Sequence, residues 1–317
     1  MSQLDPQAQA LLDAAAASGL PPVYTLPHNE ARTRMRAAFI QGQPEPIDRM
    51  EDLRIPAEHG HIPARLYHPA PAEILPLVLF FHGGGWTVND LDTHDRLCTL
   101  LAKDSRSAVV SVDYRRAPEH KYPAAVDDAW TALLWAAEGQ QVLAGDPRRI
   151  AVAGDSSGGT LAAALALKAR DLSGPALDQQ VLIYPVTDYL DPPTESYVSR
   201  SSGYSLNLPF MQWSWANYLP EQWSRDDSDL FPLRASSLAG LPPTLVLTAE
   251  FDPLRDEGAA YAQRLKEAGV PTEHWHYDDQ MHGFAMQTRT IARARRAIED
   301  VAAHLAAGFR GQAGGRP

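Results

Sequence analysis

The chain has 317 residues, 44% of them apolar and 21% charged, enough to build a full core and too apolar for a disordered segment. Its net charge of -11 argues against nucleic acid or an anionic membrane surface as a partner. A single cysteine, Cys98, excludes a disulfide framework and a cysteine zinc site; set in the helical pattern HDRLCTLLAKD, it reads as a small buried apolar residue.

The opening stretch, MSQLDPQAQALLDAAAASGLPP, lacks a basic n-region, and Asp5 and Asp13 interrupt its apolar run. It therefore reads as an amphipathic helix rather than a signal peptide. No run of 18 apolar residues occurs, so no membrane span is expected, and a cytoplasmic location is. Short apolar, β-branched runs follow at 53–57, 62–69, 76–82, 107–114, 149–154, 179–185, 243–250 and 272–278. Several are apolar at consecutive positions, which marks strands buried on both faces. Helical patterns fall at 91–104, 123–138, 157–171, 255–269 and 287–308. From residue 76 strand and helix alternate, the mark of an α/β architecture. The first two runs have no helix between them and predict an antiparallel edge.

Two stretches stand outside the alternation. Residues 1–47 look helical, and residues 187–235, rich in aromatics, separate two core strands. A structureless loop that long is unusual. Both are expected to form a cap over the sheet, with most of the aromatics making the cap's own core. The catalytic domain is then 48–186 together with 236–308, and 309–317 is expected to be a disordered tail. No internal repeat, GxGxxG loop or GxxxxGK[ST] loop is present.

The run GDSSGG (154–159) fits G-x-S-x-G when centred on Ser156, because only that frame places glycine on both sides. On a tight strand-to-helix turn, side chains at the flanking positions would collide with neighbouring backbone, so glycine is needed there. The turn lifts the hydroxyl above the sheet and leaves free N–H groups at the start of the next helix. HGGGW (82–86) follows an apolar strand; three glycines let the loop fold back and aim its N–H groups into a cleft. A serine needs a base. Of eleven histidines, His82 belongs to the glycine loop, His274 and His276 alternate along a strand, and His304 sits deep in the last helix. His282, after the last strand run, suits the chain order Ser, acid, His. The acid is expected at Asp252, with Glu250 and Asp256 as rivals; Asp252-Pro253 is also a good helix N-cap.

With these residues in view, the chain resembles the hormone-sensitive lipase family, the bacterial family IV esterases of the α/β-hydrolase superfamily. The matching segments are HGGGW, VDYRRAPEHKYPAA (112–125), RIAVAGDSSGG (149–159), LPPTLVLTAEFDPLRDEG (241–258) and MHGF (281–284). The resemblance implies an α/β-hydrolase fold, a mostly parallel eight-stranded sheet flanked by helices with a helical cap. It implies a nucleophile at Ser156, an acid at Asp252, a base at His282, and oxyanion donors at Gly83, Gly84 and Ser157. Ser157 replaces the family's usual alanine, and Arg116 stands where leucine is common. The expected activity is hydrolysis of short- to medium-chain carboxylic esters through an acyl-enzyme, with a small-molecule ester as partner and neither cofactor nor metal. An amidase or lactonase would use the same residues, and a non-catalytic small-molecule receptor the same fold. The exposed sheet edge at TEHWHYD offers a surface for a homodimer.

Overall fold

In the computed structural model, which describes residues 2–40, 42 and 45–312, the strand runs take up places in one sheet. The strands are β1 (Arg49–Ala57), β2 (Gly60–His68), β3 (Leu75–Phe81), β4 (Ala108–Val112), β5 (Gly145–Asp155), β6 (Gln179–Ile183), β7 (Thr244–Phe251) and β8 (Thr272–Met281). Among the described residues the sheet has eight strands in the order β1-β2-β4-β3-β5-β6-β7-β8. β1 pairs antiparallel with β2, and β2 antiparallel with β4; from β4 through β8 the pairing is parallel. This is the α/β-hydrolase fold, with the expected antiparallel edge.

Helices flank both faces: α3 (Leu91–Ser105), α4 (Ala124–Ala137), α5 (Ser157–Asp171), α8 (Arg255–Glu267) and α9 (Ala292–Gln312). The consecutive apolar residues of β3 show why. Leu77, Leu79 and Phe81 pack with residues of α4, α5 and α8, whereas Val78 and Phe80 pack with α3 and α9. Cys98, on α3, is buried there as a free thiol. Asp90 caps α3 by accepting from Thr93 N–H, and the Thr93 hydroxyl answers by accepting from Asp90 N–H.

The two stretches outside the alternation hold α1 (Pro6–Ala17), α2 (His28–Phe39), α6 (Glu195–Ser199) and α7 (Leu208–Tyr218). They meet each other: His28 stacks on Trp213 with ring centroids 5.6 Å apart and hydrogen-bonds Asn217 Oδ1 at 3.1 Å. Most of the aromatics of 187–235 pack together, with Trp215, Tyr218, Trp223, Tyr189 and Phe231 in mutual ring contact. The N-terminus docks on the far end of the chain. Asp5 N–H donates to the Asp279 carbonyl, and Ala292 N–H to Gln7 Oε1, each at 2.8 Å.

The end of the chain differs from expectation. α9 begins at Ala292 and runs to Gln312, past the predicted boundary at 308, because Phe309 is buried and Arg149 donates to its carbonyl. The rest of the expected tail, residues 313–317, lies outside the described residues. No described helix is long and apolar enough to cross a membrane.

Candidate active site

The site is laid out by strand register. β5 ends at Asp155, and Ser156 turns the chain sharply into α5 with φ 54° and ψ -122°, a conformation rarely adopted by a residue with a side chain. The two glycines beside it are sterically required. A Cβ on Gly154 would lie 2.2 Å from the Gly158 carbonyl oxygen, and one on Gly158 only 1.9 Å from the Phe81 carbonyl oxygen. The elbow can be this tight because its backbone presses against the end of β3.

At the other side of the sheet, Phe251 of β7 pairs with Met281 of β8 after a register shift. The next residues on the two strands, Asp252 and His282, therefore emerge side by side. His282 Nδ1–H donates to Asp252 Oδ2 at 2.7 Å, and the Ser156 hydroxyl lies 3.0 Å from His282 Nε2. Asp252 is fully buried; Ser156 and His282 are almost so. The other oxygen of Asp252 accepts from Leu254 N–H at 2.8 Å, forming a turn before α8 rather than capping its first residue. One carboxylate thus fixes the loop and orients the imidazole. Two residues that sequence reasoning missed hold His282 from behind. Ser205 donates its hydroxyl to the His282 carbonyl at 2.6 Å, and the Tyr184 ring packs 4.6 Å from the imidazole.

The glycine loop needs one correction. Gly83, expected to be an oxyanion donor, gives its N–H to Asp155 Oδ1 at 2.8 Å and is thereby committed to the protein. Gly84 and Gly85 line the cavity above Ser156 instead. Among the described residues, the N–H groups of Gly84, Gly85 and Ser157 make no hydrogen bond to the protein. Asp155 also accepts from His94 Nε2 at 3.0 Å. Burial works to raise the Asp155 carboxyl, but attraction to His94 and the bonds from His94 and Gly83 outweigh it and hold the pKa below the usual carboxylate range.

The unexplained departures from the family pattern acquire contacts here. Ser157, fully buried, accepts Trp86 N–H at 3.2 Å on its side-chain oxygen, so the first residue of α5 holds the glycine loop. Arg116 donates to the Asn89 carbonyl, and Asn89 donates its side-chain amide to the Gly83 carbonyl at 3.2 Å. None of these contacts is legible in the motifs, because each joins segments distant in sequence.

The remaining candidates lie elsewhere. Glu250 belongs to an ion-pair cluster with Arg200, Arg255 and His276, and Asp256 bonds to Arg255 and Ser196. His274 and His276 both meet the Thr248 hydroxyl. His82 stacks on Tyr114, and its Nε2 lies 3.7 Å from Asp113. His304 faces Glu273 at 3.5 Å. Behind Asp252, Glu257 is fully buried; burial pushes its carboxyl well above the usual range, although Thr187 N–H and Asp188 N–H both bond to it.

Above Ser156 opens a cavity of about 530 Å³, walled by α2 and the segment before it on one side and by residues 205–210 on the other. The architecture has close counterparts. A family model described as the alpha/beta hydrolase fold matches residues 78–286. The chain is 40% identical over 290 residues to the carboxylic ester hydrolase LipN of Mycobacterium tuberculosis, covering 89% of this chain and 77% of that one. It is 40% identical over 288 residues to the carboxylesterase NlhH of the same organism, covering 89% and 88%. Among solved structures, an ester hydrolase from the metagenome of Lake Arreo superposes with a TM-score of 0.92 at 38% identity, covering 97% of this chain and 99% of that one. Fold, register and similarity agree: the chain belongs to the alpha/beta hydrolase family, in its hormone-sensitive-lipase-like group of family IV esterases.

Proposed function

We propose that this protein is a serine carboxylesterase acting on short- to medium-chain carboxylic esters. The reading rests on one observation, the hydrogen-bonded relay from Ser156 through His282 to buried Asp252 on the floor of a largely apolar cavity. Ser156 Oγ attacks the ester carbonyl as its proton passes to His282 Nε2. Asp252 keeps the imidazole in the tautomer that accepts there and stabilises the cation that forms. The developing oxyanion is held by the main-chain N–H groups of Gly84, Gly85 and Ser157, each worth about 3 kcal/mol of barrier. His282 returns the proton to the departing alcohol. Water, activated by the same imidazole, then hydrolyses the acyl-enzyme and restores Ser156. No cofactor takes part.

In this reading residues 1–47 and 187–235 form the cap, and Met35, Phe39, Leu206 and Phe210 bound the substrate. A cavity of this size supports a preference for soluble esters over insoluble fat. The test is Ser156→Ala assayed on p-nitrophenyl butyrate, with fluorophosphonate labelling of the wild type. The reading expects labelling at Ser156 and a fall in kcat of about 10⁴-fold or more. A variant that turns over like the wild type would end it.

A further inference from the structure

The cavity wall over Ser156 contains one residue that does not match its apolar neighbours. Arg34, on α2, lines the cavity beside Met35 and Phe39. Its helix neighbours are matched by acids. Arg32 forks onto Glu119 at 2.8 and 2.6 Å, and Arg36 reaches Asp90 and Asp92. Arg34 has no acidic partner among the described residues, and no residue outside the description is an aspartate or glutamate. Its hydrogen bond runs to the Pro21 carbonyl, on the same wall, and uses only one of five guanidinium N–H groups.

Besides the phenol of Tyr24, two other titratable groups line the cavity, and both are held by the protein. Asp155 is tied to His94 and Gly83, and His282 to Asp252 and Ser156. Among the described residues, Arg34 is thus the one guanidinium on the cavity wall, and no carboxylate pairs with it. An arginine with most of its donors unused, set beside apolar side chains, presents a planar fork that a carboxylate fits.

We infer that Arg34 selects substrate class: an ester bearing a carboxylate, joined to the scissile bond by an apolar spacer. The inference rests on the proposed esterase reading and narrows it. The carboxylate pairs with the free edge of the guanidinium, while the spacer lies along Met35 and Phe39 and the ester carbonyl reaches Ser156.

The experiment measures kcat/KM by pH-stat for two series. Monoethyl esters of straight-chain dicarboxylic acids place the charge on the acyl arm; acetyl esters of ω-hydroxy acids place it on the alcohol arm. Each is paired with a neutral ester of matched length. The wild type should favour the charged member at one spacer length in one series, chiefly through a lower KM. Arg34→Gln should lower that charged-to-neutral ratio about tenfold, Arg34→Lys should restore part of it, and added salt should lower it in the wild type without any substitution. A ratio unmoved by Arg34→Gln and by salt, or a wild type that disfavours every charged ester in both series, overturns the inference. Failure to hydrolyse even the neutral esters would instead strike the esterase reading itself.

Discussion

Replacing Gly158 by alanine probes the tightest contact at the elbow. The added Cβ would stand 1.9 Å from the Phe81 carbonyl oxygen, 2.5 Å from its carbon and 2.7 Å from the His82 carbonyl oxygen, all of them backbone. No side-chain rotation can relieve this. Restoring ordinary contact, which begins at 3.4 Å, requires the end of β3 or the elbow to move by roughly 1.5 Å. Overpacking of this kind costs about 3 kcal/mol, which in a chain of this size lowers Tm by about 4–5 °C. The same shift displaces both Ser156 and the glycine loop, and a misplacement of about 1 Å costs about 10²-fold in rate. The assay is kcat and KM on p-nitrophenyl butyrate together with a calorimetric melt. Gly269→Ala is the control: its Cβ meets open space and its φ is +77°, so it should cost only about 1 kcal/mol of backbone strain and leave kcat alone. If Gly158→Ala retained wild-type kcat and Tm, the steric account of the elbow would be refuted.

Ser157→Ala removes the acceptor of Trp86 N–H and leaves that group buried and unpaired; kcat should fall about fivefold with KM steady, and binding of a boronic acid analogue should weaken in parallel. Arg116→Leu releases the Asn89 carbonyl, and a similar few-fold loss in kcat is expected, partly restored by Arg116→Lys; equal activities in all three proteins would show the contact to be idle. Glu257 has a folded pKa raised above the unfolded value of 4.5, so its neutral form is favoured by folding. Its contribution to stability is complete below the unfolded pKa and is lost as pH rises towards the folded one. Glu257→Gln, which keeps a neutral acceptor for Thr187 N–H, should therefore melt higher than the wild type at about pH 8, with the gap closing towards about pH 4. A gap that widened on acidification would reverse the sign and reject the assignment.

The sheet was legible because strands covered on both faces leave continuous apolar runs, and every predicted run takes a place in it. The elbow was legible because the tight strand-to-helix turn leaves its mark as glycine at 154 and 158 around the serine, although the backbone that Gly158 must clear belongs to β3. What stayed hidden depends on contacts across the fold. The commitment of Gly83 to Asp155 joins residues 72 apart, so the motif alone could not show that Gly85, not Gly83, faces the cavity. The departure at Arg116 has no local signal either, since its acceptor is a main-chain carbonyl. Asp155 was the one hint available. An acid between glycine and the nucleophile, straight after the apolar run Ile150–Ala153, invites a search for its donors. The last helix overran its prediction because GFRGQ looks like a frayed end, while burial of Phe309 against the body of the protein keeps it wound.

The docking of the first helix, through Asp5 and Gln7, on Asp279 and Ala292 has a consequence for how the molecule is made. A ribosome releases the roof of the cavity first and the residues that anchor it last. α2 finds Asp90, Asp92 and Glu119 early, but through most of translation α1 waits without its landing site, its inner face open to chaperones. His282 and the N-terminal anchor points arrive together, so the nascent enzyme passes from inert to competent in a single late step rather than by degrees.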